Sequence, residues 1–538
     1  MATVAPPRSR SSLLELPPIR EVHAPRWFGR LPWWAGAGGV LVLLLAISAV
    51  LRTRQLSGQL WFNEAVAVGM ASHALGALPG VLRAGGSSPL YYVLLHFWID
   101  GFGSSAAATH TLSVLIGLAS VPVAMWTGWT LGGRRAGFFA ATLFAFSSFL
   151  TQYAEETQPY ELMALLGLLA TAGFLLGFAH RRRRFLWLFA IALALMLYTQ
   201  AAAALFGFGA LAALVLVWRL AEPGPDRRGI VRDGLICFGG ASIVYLPWLP
   251  ATIHQILHAT SPWHYGPLLG ATVPGTLMGG ERVDATLLVA AIVGVMPLLA
   301  PGRRRTPEAV AIWSLIALPV AALVLARAST IIGPGWASRY FAAIVPALLL
   351  LGALTAARAR IVGVAAIVLC IAFLVNPASF APAHKSDMLD LAGEMDPQLR
   401  AGDLVVVAQP EQTPLAWYYL PAGLHWADTI GPVRDPSTIV WTNALTRLRA
   451  ANPQTTLGSL VASLKPGQRL LYVRPLTEGE QNWAEPWTQL VRRRSAQWGQ
   501  ILDDDVANGT LTPLDWAPHN YRSACCVADS AVLYRKAS

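Results

Sequence analysis

FLWLFAIALALMLYTQAAAALFGFGALAALVLVW, residues 185–218, contains no charged side chain and is flanked by Arg181–Arg184 and by Arg219. A helix rises about 1.5 Å per residue and the hydrocarbon core of a bilayer is about 30 Å thick. The stretch is therefore too long for one crossing and suits two, with a tight turn near Thr199 and Gln200. Similar low-charge blocks, most of them roughly 17 to 23 residues long, lie at 33–51, 111–131, 136–152, 160–179, 229–249, 285–300, 307–327, 340–357 and 361–377. Together they give an expectation of about eleven transmembrane helices.

Composition agrees with this reading. Of 538 residues, 55% are hydrophobic and 13% charged, about half the charged share of an ordinary soluble domain, so the apolar material needs lipid as its solvent. The formal net charge of +11 does not point to nucleic acid, because the arginines gather at alternate helix ends and not along one soluble face. Under the positive-inside rule the amino-terminal Arg8, Arg10, Arg20, Arg26 and Arg30, then Arg134 and Arg135, Arg181–Arg184, Arg227 and Arg228, Arg303–Arg305, and Arg358 with Arg360 all belong in the cytoplasm. These placements agree only if PLYYVLLHFWID, 89–100, does not span, which makes it an amphipathic helix at the outer surface.

Residues 1–32, rich in Pro, Ser and Arg, read as a disordered cytoplasmic tail, 33–379 as the membrane domain with a first outer loop at 52–110, and 380–538 as a soluble α/β domain outside the cytoplasm. Within the last, DLVVVAQP (403–410), RLLYVRPL (469–476) and SAVLYRK (530–536) read as strands, and EPWTQLVRRRSAQWGQIL (485–502) as a helix. The four cysteines, Cys237, Cys370, Cys525 and Cys526, are expected to be free thiols. There is no phosphate-binding glycine loop and no CxxC or HExxH metal signature, so no cofactor or metal is assigned, and a divalent ion has no support in the sequence. His254 and His258 have helical i, i+4 spacing without a third ligand.

With this topology the outer loops collect the acids. Glu64 stands in LWFNEAVAVGMASH (60–73), and Glu155 and Glu156 in YAEETQPY (153–160). A carboxylate at a membrane boundary loses solvation, so it marks a polar site suited to acid and base work or to a cation. Arg339 is an isolated positive charge on the outer side whose guanidinium fork matches a phosphate. Trp263 and His264, in the loop 251–284, suit a sugar or the interfacial belt.

Six segments in order carry a family resemblance over roughly 33–377: WFNEA (61–65), SSPLYYVLLHFWIDGFG (87–103), ATHTLSVLIGL (108–118), QYAEETQPYELMALLGLLA (152–170), LYTQ (197–200) and ASRYFAAIVPALLLL (337–351). The chain resembles the GT-C superfamily of polyprenyl-phosphate-sugar-dependent glycosyltransferases, nearest to bacterial relatives of protein O-mannosyltransferases and of the aminoarabinose transferase acting on lipid A. The resemblance implies an inverting transfer from a lipid phosphate carrier to a glycan, lipid or protein acceptor on the outer face, in envelope glycan or glycoconjugate assembly. It also implies an Asp-Glu pair in the first outer loop, whose Asp deprotonates the acceptor hydroxyl. Here that pair is Asn63-Glu64, and an amide cannot take a proton. Ser87, Ser88 and Pro89 replace an acidic residue and two prolines, Gln158 stands where Arg is usual, and Gln200 where His is frequent, while Arg339 and Tyr340 match.

The expected catalytic residues are Glu64 and Glu156, with Asn63, Glu155, Gln158, Tyr160, Arg339, Tyr340, Trp263 and His264 in substrate binding. The loss of the pair's Asp leaves a second reading open, a non-catalytic lipid-glycan binding or scaffolding membrane protein on the same fold. A secondary transporter has less support, since paired repeats and broken helices are not evident.

Overall fold

The structure is a computed structural model that describes residues 33–258, 277–300, 302–330, 336–375, 385–476, 486–518 and 528–537. Contacts divide the chain into two units, Met1–Leu43 and Leu44–Ser538, and everything that builds the site lies in the second. Helices occupy all eleven apolar blocks of the sequence. Among the described residues five are long and apolar enough to cross a membrane, or six if the bent pair Pro225–Tyr245 and Leu249–His258 is one span. Val345–Arg358 and Arg360–Leu374 are shorter apolar helices. The chain is a helical membrane protein.

The amino-terminal elements are α1 (Trp33–Arg52), α2 (Phe62–Ala71), α3 (Leu78–Gly85), α4 (Pro89–Phe102), α5 (Ala106–Phe146), α6 (Ser148–Ala154) and α7 (Tyr160–Phe174). The blocks 111–131 and 136–152 fall mostly on the single element α5, which reverses at Gly133, where φ is 81°. Its two halves press together on small residues: a Cβ at Gly128 would lie 2.6 Å from the carbonyl oxygen of Ala136, and one at Gly137 2.9 Å from that of Met125. Helix α4 has 14 residues, about 21 Å of rise, which falls short of a bilayer core. It buries Tyr91, Tyr92, Leu95 and His96 and exposes Leu94, Phe97 and Phe102.

The carboxy-terminal stretch forms a six-stranded mixed sheet of β1 (Leu404–Val407), β2 (His425–Asp428), β3 (Gly431–Val433), β4 (Arg469–Pro475), β5 (Leu511–Ala517) and β6 (Asp529–Lys536), in the order β3-β2-β1-β4-β6-β5. Strand β1 runs parallel to both of its neighbours, β2 and β4. Its four apolar residues are all buried, as a central parallel strand with both faces covered requires.

Alternate residues serve the two faces. Leu404, Val406, Leu470 and Tyr472 pack on helices Pro453–Ser463 and Pro486–Ala507 through Leu457, Val461, Trp498 and Leu502. Val405, Val407, Leu471 and Val473 share a cluster with Met388, Leu391 and Leu415, and also with Leu60, Ala65 and Val68 in and just ahead of α2. The sheet's core thus extends into residues ahead of position 380.

Polar contacts fasten the same junction. The Leu60 amide donates to the Tyr419 hydroxyl at 2.9 Å, the Tyr418 hydroxyl to the Ser104 carbonyl at 2.9 Å, and His73 Nε2 lies 3.0 Å from Asp435. At Gly69 the backbones approach so closely that a Cβ would fall 1.9 Å from the Ser437 carbonyl oxygen.

Candidate functional site

Glu64 lies in the first turn of α2 with its side chain fully buried. Four donors surround its carboxylate. Oε1 accepts from His110 Nε2 at 2.7 Å and from the Thr157 amide at 2.7 Å. Oε2 accepts from the Trp61 amide at 2.8 Å and from Lys385 Nζ at 2.9 Å. A carboxylate offers about four lone-pair sites, so this one is saturated. Burial alone would raise its pKa, but the charge of Lys385, the hydrogen bond and charge of His110 and the Trp61 amide together pull it down to about 2.

The four donors come from distant parts of the chain and so act as a fastening. His110 opens α5 and also donates from Nδ1 to the Leu56 carbonyl at 2.8 Å. Lys385, 4% exposed, also donates to the Glu155 carbonyl at 2.8 Å. Thr157 donates from its hydroxyl to Thr109 at 2.8 Å, and Ser113 to the Glu156 carbonyl at 2.7 Å. The loop ahead of α2, the turn between α6 and α7, the first turns of α5 and the approach to the sheet meet at one carboxylate.

Glu156 is built differently. Its side chain is half-buried in the turn between α6 and α7. Burial and the neighbouring Glu64 charge push its pKa up to about 8, against the opposing pull of Lys385 and Arg339. Burial also raises Glu155, which accepts from the Gln55 amide at 3.2 Å. Arg339 is half-buried in the 3-10 turn Ser338–Phe341, with its guanidinium 5.5 Å over the Tyr340 ring.

The structure brings most of the residues expected from sequence into this cluster. Gln158, buried, donates to the backbone carbonyl of half-buried Asn63 at 2.7 Å. Tyr160 is buried edge-on to Tyr153, with ring centroids 5.0 Å apart. Tyr340 meets Trp336 edge-on at 6.0 Å. Trp263 and His264 lie outside the described residues, as do Cys525 and Cys526, whereas Cys237 and Cys370 are free and buried. His254 and His258 stack at 4.2 Å, and His258 Nδ1 donates to the His254 carbonyl at 2.9 Å. Among the described residues no three His, Cys, Asp or Glu side chains form a metal-binding group.

Neither Lys385 nor His110 stands among the site residues expected from sequence. A signal for Lys385 was present: the chain has three lysines, Lys385, Lys465 and Lys536, among its 40 basic residues, and Lys385 follows the last apolar block by a few residues. An ammonium is a compact charge that fits between a carboxylate and a carbonyl where a guanidinium fork would not.

No family model matches the sequence, and no curated protein matches it either. Solved structures do. The chain is similar to ArnT from Cupriavidus metallidurans bound to undecaprenyl phosphate, with a TM-score of 0.59 at 14% identity over 93% of this chain and 98% of that one. It is similar to the apo oligosaccharyltransferase of Archaeoglobus fulgidus, with a TM-score of 0.51 at 14% identity over 87% and 73% of the two chains. A third likeness is to a mutant of the mycobacterial arabinofuranosyltransferase AftD, with a TM-score of 0.51 at 16% identity over 93% of this chain and 41% of that one. These proteins share one architecture, and the chain has that architecture, the GT-C fold.

Proposed function

We propose that the protein is a membrane glycosyltransferase that moves a sugar from a polyprenyl-phosphate carrier to an acceptor on the outer face of the cytoplasmic membrane, with inversion at the anomeric carbon. In this reading the membrane domain crosses eleven times, the arginine clusters lie inside, and the sheet lies outside. The observation that carries it is the Glu64 fastening, which ties down the Glu155–Thr157 turn and sets a fixed negative charge beside Glu156, whose carboxyl also feels the charge of Arg339. The fold supports it, since ArnT was solved with undecaprenyl phosphate on the same architecture.

The charge balance suits a phosphate-linked donor. Lys385 and Arg339 bring positive charge to the volume around Glu64 and Glu156. Arg339 has the fork geometry for phosphate oxygens. Glu64 has no lone pair to spare and is held strongly acidic, so it positions the site and does not take the proton. Glu156 fills that role. As the acceptor oxygen bonds to the anomeric carbon, its proton passes to Glu156 and the bond from that carbon to the carrier phosphate breaks, releasing the carrier. A carboxyl poised near neutrality is suited to this exchange. Asn63 holds the acceptor hydroxyl without deprotonating it.

Mass spectrometry of envelope glycans tests the proposal whichever sugar is transferred. A strain lacking the gene is expected to lose one glycosyl residue, which wild type restores and Glu156→Gln does not. Identical glycans in all three strains would favour the non-catalytic, glycan-binding reading that Asn63 invites.

A further inference from the structure

At the arginine-rich end of two other helices, Ala203–Leu220 and Pro225–Tyr245, a groove of about 720 Å³ opens to the outside of the protein. One end is basic. Arg228 and Arg232 stand one turn apart on the second helix, beside the Gly224 turn from which that helix starts. Arg227 forms a side wall, with its guanidinium 4.8 Å over the Trp218 ring and with donors committed to the Ala221 and Arg219 carbonyls. The other end is apolar: Val231, Leu235 and Ile236 are 49%, 71% and 53% exposed. Positions 228, 232 and 235 share one face of the helix at i, i+4 and i+7, so the cations and the apolar strip are continuous.

The local acids offset the arginines only in part, since Arg232 pairs through two nitrogens with Asp233 but shares that carboxylate with Arg183. Asp226 lies 3.7 Å from Arg181, and Asp233 accepts from Arg183 at 2.8 Å and from Arg232 at 3.2 Å. Arg228 is exposed at the mouth, where the first amides of a 21-residue helix add positive potential. A cationic end joined to an exposed apolar wall on a membrane helix matches one kind of molecule, an anionic headgroup attached to an acyl chain.

We propose that this groove binds an anionic phospholipid, with its phosphate on Arg228 and Arg232 and an acyl chain along Val231, Leu235 and Ile236. The site is separate from the Glu64 cluster, and its occupancy does not depend on the transfer reaction.

The test uses the full-length protein in neutral detergent, incubated with phosphatidylglycerol or phosphatidylcholine and examined by native mass spectrometry. Wild type is expected to retain phosphatidylglycerol preferentially, and the double variant Arg228→Ala/Arg232→Ala to lose that preference by about fivefold or more per arginine. Equal retention of both lipids by wild type, or a preference unchanged in the double variant, would overturn the proposal. So would full displacement by millimolar inorganic phosphate, which would reduce the groove to a free-anion site. A second measurement needs only wild type: phosphatidylglycerol with a diazirine in its acyl chain should label the peptide containing Val231–Ile236, and labelling confined to other helices would contradict the assigned chain path.

Discussion

Helix α2 and the turn between α6 and α7 each present a carboxyl to the same small volume, and the two end in opposite states. Glu64 on the helix is fully buried yet strongly acidic at about 2. Glu156 in the turn is more exposed by area yet sits near 8. Burial pushes both upward, so burial does not decide the difference. Donors do: Glu64 receives two backbone amides, an imidazole and an ammonium, while Glu156 faces the negative charge that those donors stabilise. Burial together with one fixed carboxylate makes its neighbour a weak acid, and the pair divides into a permanent anion and a carboxyl poised near neutrality.

The sharpest way to break this division is to remove the ammonium. Lys385→Met should destabilise the protein by about 3–5 kcal/mol, because it leaves a buried carboxylate without its main counter-charge. Thermal unfolding in detergent checks this, and the double variant Lys385→Met/Glu64→Gln should recover most of the loss. A single variant as stable as wild type would show that the fastening contributes nothing.

Acid should expose the same asymmetry. The folded pKa of Glu64 is depressed from an ordinary 4.5 to about 2, so its contribution is present above pH 4.5 and declines as pH falls towards 2. Glu156 is shifted the other way, so its contribution is present below 4.5 and declines as pH rises through 8. Melting temperature should therefore fall between pH 4.5 and 2 in wild type and much less in Lys385→Met/Glu64→Gln. Parallel acid profiles would remove Glu64 as the source.

On the binding side, Arg339→Ala should weaken use of the lipid-phosphate donor more than Arg339→Lys does, since lysine keeps the charge and loses only the fork. Donor dependence that is unchanged in both variants, measured in reconstituted membranes, would take Arg339 out of the site. The smallest effect belongs to Asn63→Asp, which should leave transfer unchanged or raise it. A large loss on that substitution would mean that the Asn63 amide makes a contact an acid cannot replace.

How much of this the sequence disclosed follows from the range of each interaction. The apolar blocks were legible because a bilayer imposes length on contiguous residues, and all eleven fall on helices. Strands β1, β4 and β6 lie where apolar runs and turn residues placed them, whereas β2, β3 and β5 are short or polar and carry no such signal. Glu64 and Glu156 were legible as acids at a membrane boundary, but their different states were not. Those depend on Lys385, 321 positions from Glu64, and on a sheet whose core borrows Leu60, Ala65 and Val68 from in and just ahead of α2. No local pattern announces a pairing at that separation.

The pH dependence of transfer tests the role of Glu156 most directly. With purified protein in proteoliposomes and a polyprenyl-phosphate-linked sugar as donor, kcat/KM follows the ionised fraction of the free enzyme's base. With Glu156 near 8, that fraction is about a hundredth at pH 6 and about nine-tenths at pH 9. Wild-type transfer should therefore rise steeply across this range and level off above it, and Glu156→Gln should be slower by about 10²- to 10⁴-fold with the rise abolished. Wild-type transfer that is flat from pH 6 to 9, or a rate and profile unchanged in Glu156→Gln, would contradict the assignment of Glu156 as the base.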